Sequence, residues 1–442
     1  MEDSFRFGGH GVSLADGKAE FYFTLTHKGV ENQFKETISF RPPESGREVS
    51  EKLIENLFQN IALALGISYW KLVCPVKIEL GKYQLSEPEA HFWTTIYTKG
   101  LGEFAYKNNL DLKSKVSFPI NKKIQATITY SCRDRSLLFI GGGKDSIVAG
   151  ELLKNCQKPF DGFALHKIEL QDKTAQIMGI PLIAIERVMD PAFFEYQKRD
   201  DIYKGHVPVS LFYALIGLLA AILYDYRYLV AANEESANYG NVEYRGEIIN
   251  HQWSKSAEFE ILFRNFIHEC ITPDITYFSL MRPFTEIKIA EIFSRFTQYF
   301  STFSSCNKNF KLAFDMNAPR WCGACPKCVF VFASLAAFIP KKQVVEIFGK
   351  DLFADSALIW LYEELLGVRN FKPFECVGTP EETKLAFLLA CERREFAGEL
   401  AVEMFKRVFG GEFASIRESA KTLLAQKNAA TLPDDFARCL HI

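Results

Sequence analysis

The sequence predicts an α/β protein: a central parallel-sheet domain, a mixed α+β domain before it, and a helical region after it. Three observations carry this. Leu137-Leu138-Phe139-Ile140 reads as a buried strand and runs through Gly141-Gly142-Gly143 into an apolar helix. Two more apolar strands, Phe160 to His166 and Pro181 to Ile185, alternate with helical patterns. Such alternation implies a parallel sheet covered on both faces. From about Leu335 onward the apolar residues recur only at helical spacing, among them Phe348, Leu352, Leu358, Leu361, Leu365 and Leu385. The expected domains are residues 1–126, 127–335 and 336–442.

The N-terminal part alternates first. Phe21 to Leu25 and Phe34 to Phe40 read as strands joined near Lys28-Gly29. The spacing of Leu53, Leu57, Phe58, Ile61 and Leu65 predicts a helix that ends at Gly66. Val76 to Leu80 reads as a strand and Glu89 to Tyr106 as helical. In the centre, Val209 to Tyr224 is the most apolar run. It is shorter than the roughly 20 residues that span a bilayer, so it reads as a buried helix. Tyr228 to Ala232 is a further strand.

The chain has 442 residues, 48% of them apolar, and a formal net charge of −2. That balance gives no overall drive toward nucleic acid or an acidic membrane. Met1 to Arg6 lacks the basic and apolar regions of a signal peptide. The eleven cysteines, mostly without pattern, suit reduced thiols better than a disulfide scaffold. No signature of an oligomeric state is visible.

The glycine stretch is an anion site in outline. Strand, tight turn and helix start direct bare amides and the positive helix end at a phosphate. Its spacing excludes a P-loop, because Asp145 rather than a hydroxyl residue follows Lys144, and excludes the dinucleotide fingerprint, because Ser146 stands where a third glycine belongs. Gly141 to Ser146 resembles the Ser-Gly-Gly-x-Asp-Ser loop of the PP-loop ATP pyrophosphatases, the adenine nucleotide α-hydrolase-like superfamily, with Gly141 in place of the serine. The resemblance implies ATP cleaved between its α and β phosphates. Gly141, Gly142, Gly143, Lys144 and Ser146 would hold pyrophosphate, and Asp145 would reach Mg²⁺. His166, at the end of the next strand, is a candidate for the same nucleotide site. The plain alternative is an ordinary glycine turn and a structural histidine.

Polar loops follow the later strands, where α/β sites are built. Asn233-Glu234-Glu235-Ser236 and Asn238 are candidate substrate contacts, with Ser254, Ser256 and Arg282. The competing reading is a solvated loop. Lys255 and His251 are candidates for the acid and base of a proton transfer, or for simple binding of phosphate or carboxylate. Ser254 or Ser256 would cap a helix running to Ile271. Cys306, Cys322, Cys325 and Cys328 have the spacing of a tetrathiolate site, suited to structural Zn²⁺ or to an iron–sulfur cluster.

In sequence order, the glycine loop, Gly205-His206-Val207-Pro208, Asn233 to Ser236, Asn250 to Ser256, Tyr277 to Pro283, Ser304 to Asn307 and Trp321 to Phe330 together resemble the UDP-N-acetyl-α-D-muramoyl-L-alanyl-L-glutamate epimerase family (MurL). The resemblance is strong over about 140–350 and weak elsewhere. It implies a bacterial cytoplasmic enzyme of peptidoglycan synthesis, with a UDP-muramoyl dipeptide as substrate, whose terminal L-glutamate is epimerised at the expense of ATP. Two other classes stay open: a deazaguanine-synthase-like ligase, whose relatives carry a similar cysteine set, and a non-catalytic nucleotide-binding protein.

Overall fold

The computed structural model describes residues 2–43, 49–121, 127–306 and 319–440. The strands are β1 (Ser4–Ser13), β2 (Lys18–His27), β3 (Val30–Ser39), β4 (Lys77–Glu79), β5 (Ser136–Phe139), β6 (Phe160–Leu165), β7 (Leu182–Val188), β8 (Tyr228–Ala231), β9 (Val242–Tyr244), β10 (Glu247–Ile249) and β11 (Thr276–Ser279). Nine of them share one sheet in the order β11-β8-β5-β6-β7-β3-β2-β1-β4, and β9 and β10 form a separate hairpin.

Strands β11, β8, β5, β6 and β7 run parallel. Beside them β3 pairs antiparallel with β7 through Thr37–Ser39 and Glu186–Val188, and the β1–β2–β3 meander extends the sheet. The expected boundary near residue 126 lies outside the described residues, and the sheet is continuous between the segments on either side of it. Lys28 and Gly29 both have positive φ and make the two-residue turn between β2 and β3. Strand β1 escapes sequence patterning because its glycines interrupt the alternation and Gly9 marks a register shift against β2.

Successive residues of the parallel strands serve opposite cores. Leu137, Leu229 and Tyr277 face a core with the helices Glu51–Trp70 and Val209–Tyr224. Leu138, Val230 and Phe278 face a second core with the helix Lys144–Asn155 and the C-terminal helices. The expected helix end at Gly66 is corrected: the helix runs on to Trp70. Gly66 is there because a Cβ would stand 2.4 Å from Phe7 Cε1. The C-terminal region is helical as expected, with helices from Lys341–Phe348 to Asp434–Ala437.

Cys156 and Cys439 form a disulfide across 283 residues. This corrects the expectation of thiols only, since no local spacing announces so distant a pair. No described helix is long and apolar enough to cross a membrane.

Candidate active site

Strand β5 has β6 on one side and β8 on the other, so the strand order reverses at its carboxyl end. A crevice opens at such a point in a parallel sheet. Here it is a cleft of about 1240 Å³. Gly141, Gly143, Asp145 and Ser146 line it, and the helix Lys144–Asn155 starts on it without a side-chain cap. Gly142 has φ +82°, where a Cβ would also lie 2.6 Å from Leu170 Cγ. A Cβ at Gly143 would lie 2.7 Å from Ser305 Oγ. A Cβ at Gly143 would displace the Ser305 hydroxyl, whereas Gly142 is held to glycine by its backbone conformation. Ser304 N donates to Gly142 O at 3.1 Å, and both serines face the cleft. Ser305 went unnoticed as a site residue because its contact with the loop spans more than 150 residues of chain.

Lys144 differs from its expected role. Its side chain is fully enclosed, pairs with Asp145 and Glu286, and is not part of the cleft wall. At the first turn of the helix that follows the glycine loop, this lysine is drawn inward by two carboxylates. Lys327 Nζ donates to Glu286 Oε1 at 3.2 Å and to the Cys376 carbonyl. Burial alone would raise Glu286, but Lys144 and Lys327 outweigh it and hold the carboxyl at about 2. Burial, with Glu286 and Asp145 nearby, pushes Glu234 up to about 7. Asp145, Glu234 and Glu286 each offer an oxygen within 4.8 Å of the others, an oxygen set of the kind that suits Mg²⁺.

A second wall carries a cationic cluster. Lys255 Nζ donates to Cys376 Sγ at 3.3 Å, and His251 hydrogen-bonds both Cys376 and Glu103. Burial would lower His251, yet Cys376 and Glu103 raise it to about 9. Lys255 is likewise raised against its burial, by Cys376 and Glu234. Burial would raise the Cys376 thiol, but Lys255, His251 and Lys327 pull it down to about 5. Cys376 was not singled out from the sequence because it sits alone between helices, in no motif.

The polar loops divide in two. Asn233, Ser254, His251 and Lys255 line the cleft, as does His166, whose Nδ1 lies 3.0 Å from Glu186. Glu234 lies in the carboxylate cluster, and the remaining candidates are engaged in holding the scaffold. Arg282 donates to Glu260, to the Glu234 carbonyl and to the Lys255 carbonyl, so its fork is consumed in fixing the two loops. Ser236 Oγ bonds Glu382, Asn238 Oδ1 accepts from Ala257 N, and Ser256 caps the helix Ala257–Phe266. Glu235 pairs with Lys427 at 2.9 Å. Asn238 and Ser256 are short polar side chains beside a helix start, where backbone donors compete for them.

Cys306, Cys322, Cys325 and Cys328 converge, their sulfurs all within 4.8 Å. Cys328 Sγ lies 3.4 Å from Cys325 Sγ and 3.7 Å from Cys322 Sγ. Four thiolates at about 2.3 Å from one zinc ion stand about 3.8 Å apart, so the residues fit the metal. Asn307, quoted with this motif, lies outside the described residues.

Residues 1–280 match the MurL N-terminal domain and residues 302–419 the MurL C-terminal domain. Over 356 residues the chain is 37% identical to the UDP-N-acetyl-alpha-D-muramoyl-L-alanyl-L-glutamate epimerase of Xanthomonas oryzae pv. oryzae, covering 80% of this chain and 78% of that one. It is 36% identical to proteins of the same name from Micromonospora sp., covering 89% and 88%, and Salinispora tropica, covering 88% and 85%. Both domain models and relatives spanning most of its length thus agree with the motif order read along the cleft, and the chain belongs to the MurL family.

Proposed function

We propose that this chain epimerises the terminal glutamate of a UDP-muramoyl-alanyl-glutamate, and that ATP activates the glutamate for it. The observation that carries the reading is the shared cleft: the uncapped glycine turn at the switch point opens onto the same space as His251, Lys255 and Cys376. The names of the relatives supply the substrate class.

The chemistry explains the pairing. A Cα–H beside an ionised carboxylate is a very weak acid, because its loss puts a second negative charge next to the first. Transfer of AMP to the α-carboxylate removes that charge, and the mixed anhydride accepts the carbanion's electrons as an enolate. The γ-carboxyl is too far from the stereocentre to serve. Once the proton has been returned to Cα, water hydrolyses the anhydride and releases AMP and the free α-carboxylate. In this reading the glycine loop, as in the PP-loop superfamily, holds the departing pyrophosphate with backbone amides and Ser146. Asp145, the one of the three carboxylates that lines the cleft, would hold Mg²⁺, which when bound neutralises phosphate charge. The four cysteines would hold a structural zinc ion.

The test is incubation with ATP, Mg²⁺ and UDP-N-acetylmuramoyl-L-alanyl-L-glutamate, followed by chiral analysis of the glutamate. D-Glutamate and pyrophosphate are expected, and in D₂O the deuterium should enter Cα only with ATP present. Deuterium uptake without ATP would overturn the activation step. Pyrophosphate release coupled to amide formation, with no change at Cα, would indicate a ligase instead.

A further inference from the structure

The thiol of Cys376 is placed by more of the fold than a bystander requires. Its segment, between the helices Ile359–Leu365 and Pro380–Glu392, is pinned from both sides. Asn241 Nδ2 donates to the carbonyls of Lys372 and Pro373, Gln252 Nε2 to that of Val377, and Lys327 to that of Cys376 itself. The side chain faces the cleft that Gly141, Gly143 and Asp145 also line. Lys255 and His251, on a different segment, both direct their polar atoms at its sulfur. A C-terminal segment, a lysine and a histidine thus converge on one sulfur beside the nucleotide loop.

We infer that Cys376 is the group that removes the Cα proton of the activated glutamate, with Lys255 and His251 as the residues that position it. The assignment rests on the epimerase reading above. A base needs a free electron pair at neutral pH. Lys255 and His251 are each held protonated by their anionic neighbours, so neither offers one. The sulfur does. In the step, the Cα–H bond breaks, an S–H bond forms, and the C–H electrons move into the anhydride carbonyl as an enolate. Water on the opposite face of Cα returns a proton to the carbanion. The hydroxide left behind takes the thiol proton and restores the thiolate. Lys255 and His251 then act through the sulfur, by holding its charge and its direction.

The experiment compares Cys376→Ser and Cys376→Ala with the full-length wild type, using ATP, Mg²⁺ and the UDP-muramoyl dipeptide in D₂O. Removing a positioned base costs about 10²–10⁴-fold. Cα deuterium uptake should fall by that factor, and pyrophosphate release by far less. Uptake near the wild-type rate, or equal losses of uptake and release in a folded variant, overturns the assignment. Wild-type protein with neither uptake nor release would sink the functional reading itself, which separates the two failures. Should the variants not fold, iodoacetamide on the wild type gives the same decision. Alkylation mapped to Cys376 should abolish deuterium uptake before pyrophosphate release, and alkylated protein that still exchanges refutes the role.

Discussion

Three cations around one sulfur make the charge state of Cys376 the most informative single property of the site. Lys255, His251 and Lys327 outweigh both burial and the nearby Glu375 and hold the thiol at about 5. Its alkylation rate follows the thiolate fraction. That rate should therefore rise through pH 5 and be flat above about pH 6, well below the ordinary thiol range. Removing a cation shifts the balance toward the protonated form. In Lys255→Met the midpoint should climb by at least about one unit, read by mass spectrometry of the modified peptide across pH. A midpoint unmoved in Lys255→Met would show that the lysine does not hold the charge. Asp145 offers a complementary test, since it alone of the three clustered carboxylates belongs to the glycine loop helix and faces the cleft. Asp145→Ala should reduce pyrophosphate release by about 10²-fold or more with little change in thermal stability. Near-normal release from that variant would remove Asp145 from the ATP site.

At the scale of elements, Gly66 shows how a correct periodicity produces a wrong boundary. A glycine after four helical turns reads as a stop, and only tertiary packing against Phe7 shows that the helix continues through it. Two effects of Gly66→Ala oppose each other. Alanine gains about 1 kcal/mol of helix propensity, while a methyl forced into a packed ring costs about 1–3 kcal/mol. With the Cβ 2.4 Å from Phe7 Cε1 the clash should win, and thermal denaturation should show a lower Tm. A higher Tm would mean that Phe7 moves freely. The parallel strands β5 to β8 and the helix Val209–Tyr224 were legible because they are short or uniformly apolar and bounded by turns, whereas the two apolar residues of β11 were too few to show a pattern. The cysteine cluster was legible because three of its members are local. The zinc proposed for it should copurify at one ion per chain, and metal analysis that finds none, or an iron–sulfur absorption band, would refute the assignment. Cys376, Glu103 and the Cys156–Cys439 pair were illegible for one shared reason: each acquires its meaning from a partner more than 100 residues away.

For the molecule as a whole, the decisive feature is that the antiparallel and parallel strands form one sheet, joined at β3 and β7. The joint carries a charged group buried with its counter-charge. Glu36, on β3, is fully buried and accepts from Arg187 of β7 and, at 2.8 Å, from Tyr69 Oη of the helix behind. Arg187 also donates to Ser68 Oγ at 3.3 Å, lies 4.4 Å from the centre of the Phe212 ring, and reaches the cleft wall. One ion pair therefore ties the N-terminal meander, the first long helix and the wall of the site together. Two charges buried together are near balance, whereas one left alone is not. Glu36→Gln should therefore cost about 3–5 kcal/mol, because Arg187 loses its counter-charge inside the sheet. The double variant Glu36→Leu with Arg187→Met removes both charges and should recover most of that loss. Urea denaturation of the single and double variants measures the difference, provided each unfolds in one transition by fluorescence and by circular dichroism alike. A double variant no more stable than Glu36→Gln would show that the hydrogen bonds of Glu36 to the helix, rather than its charge balance with β7, hold the two halves of the sheet together.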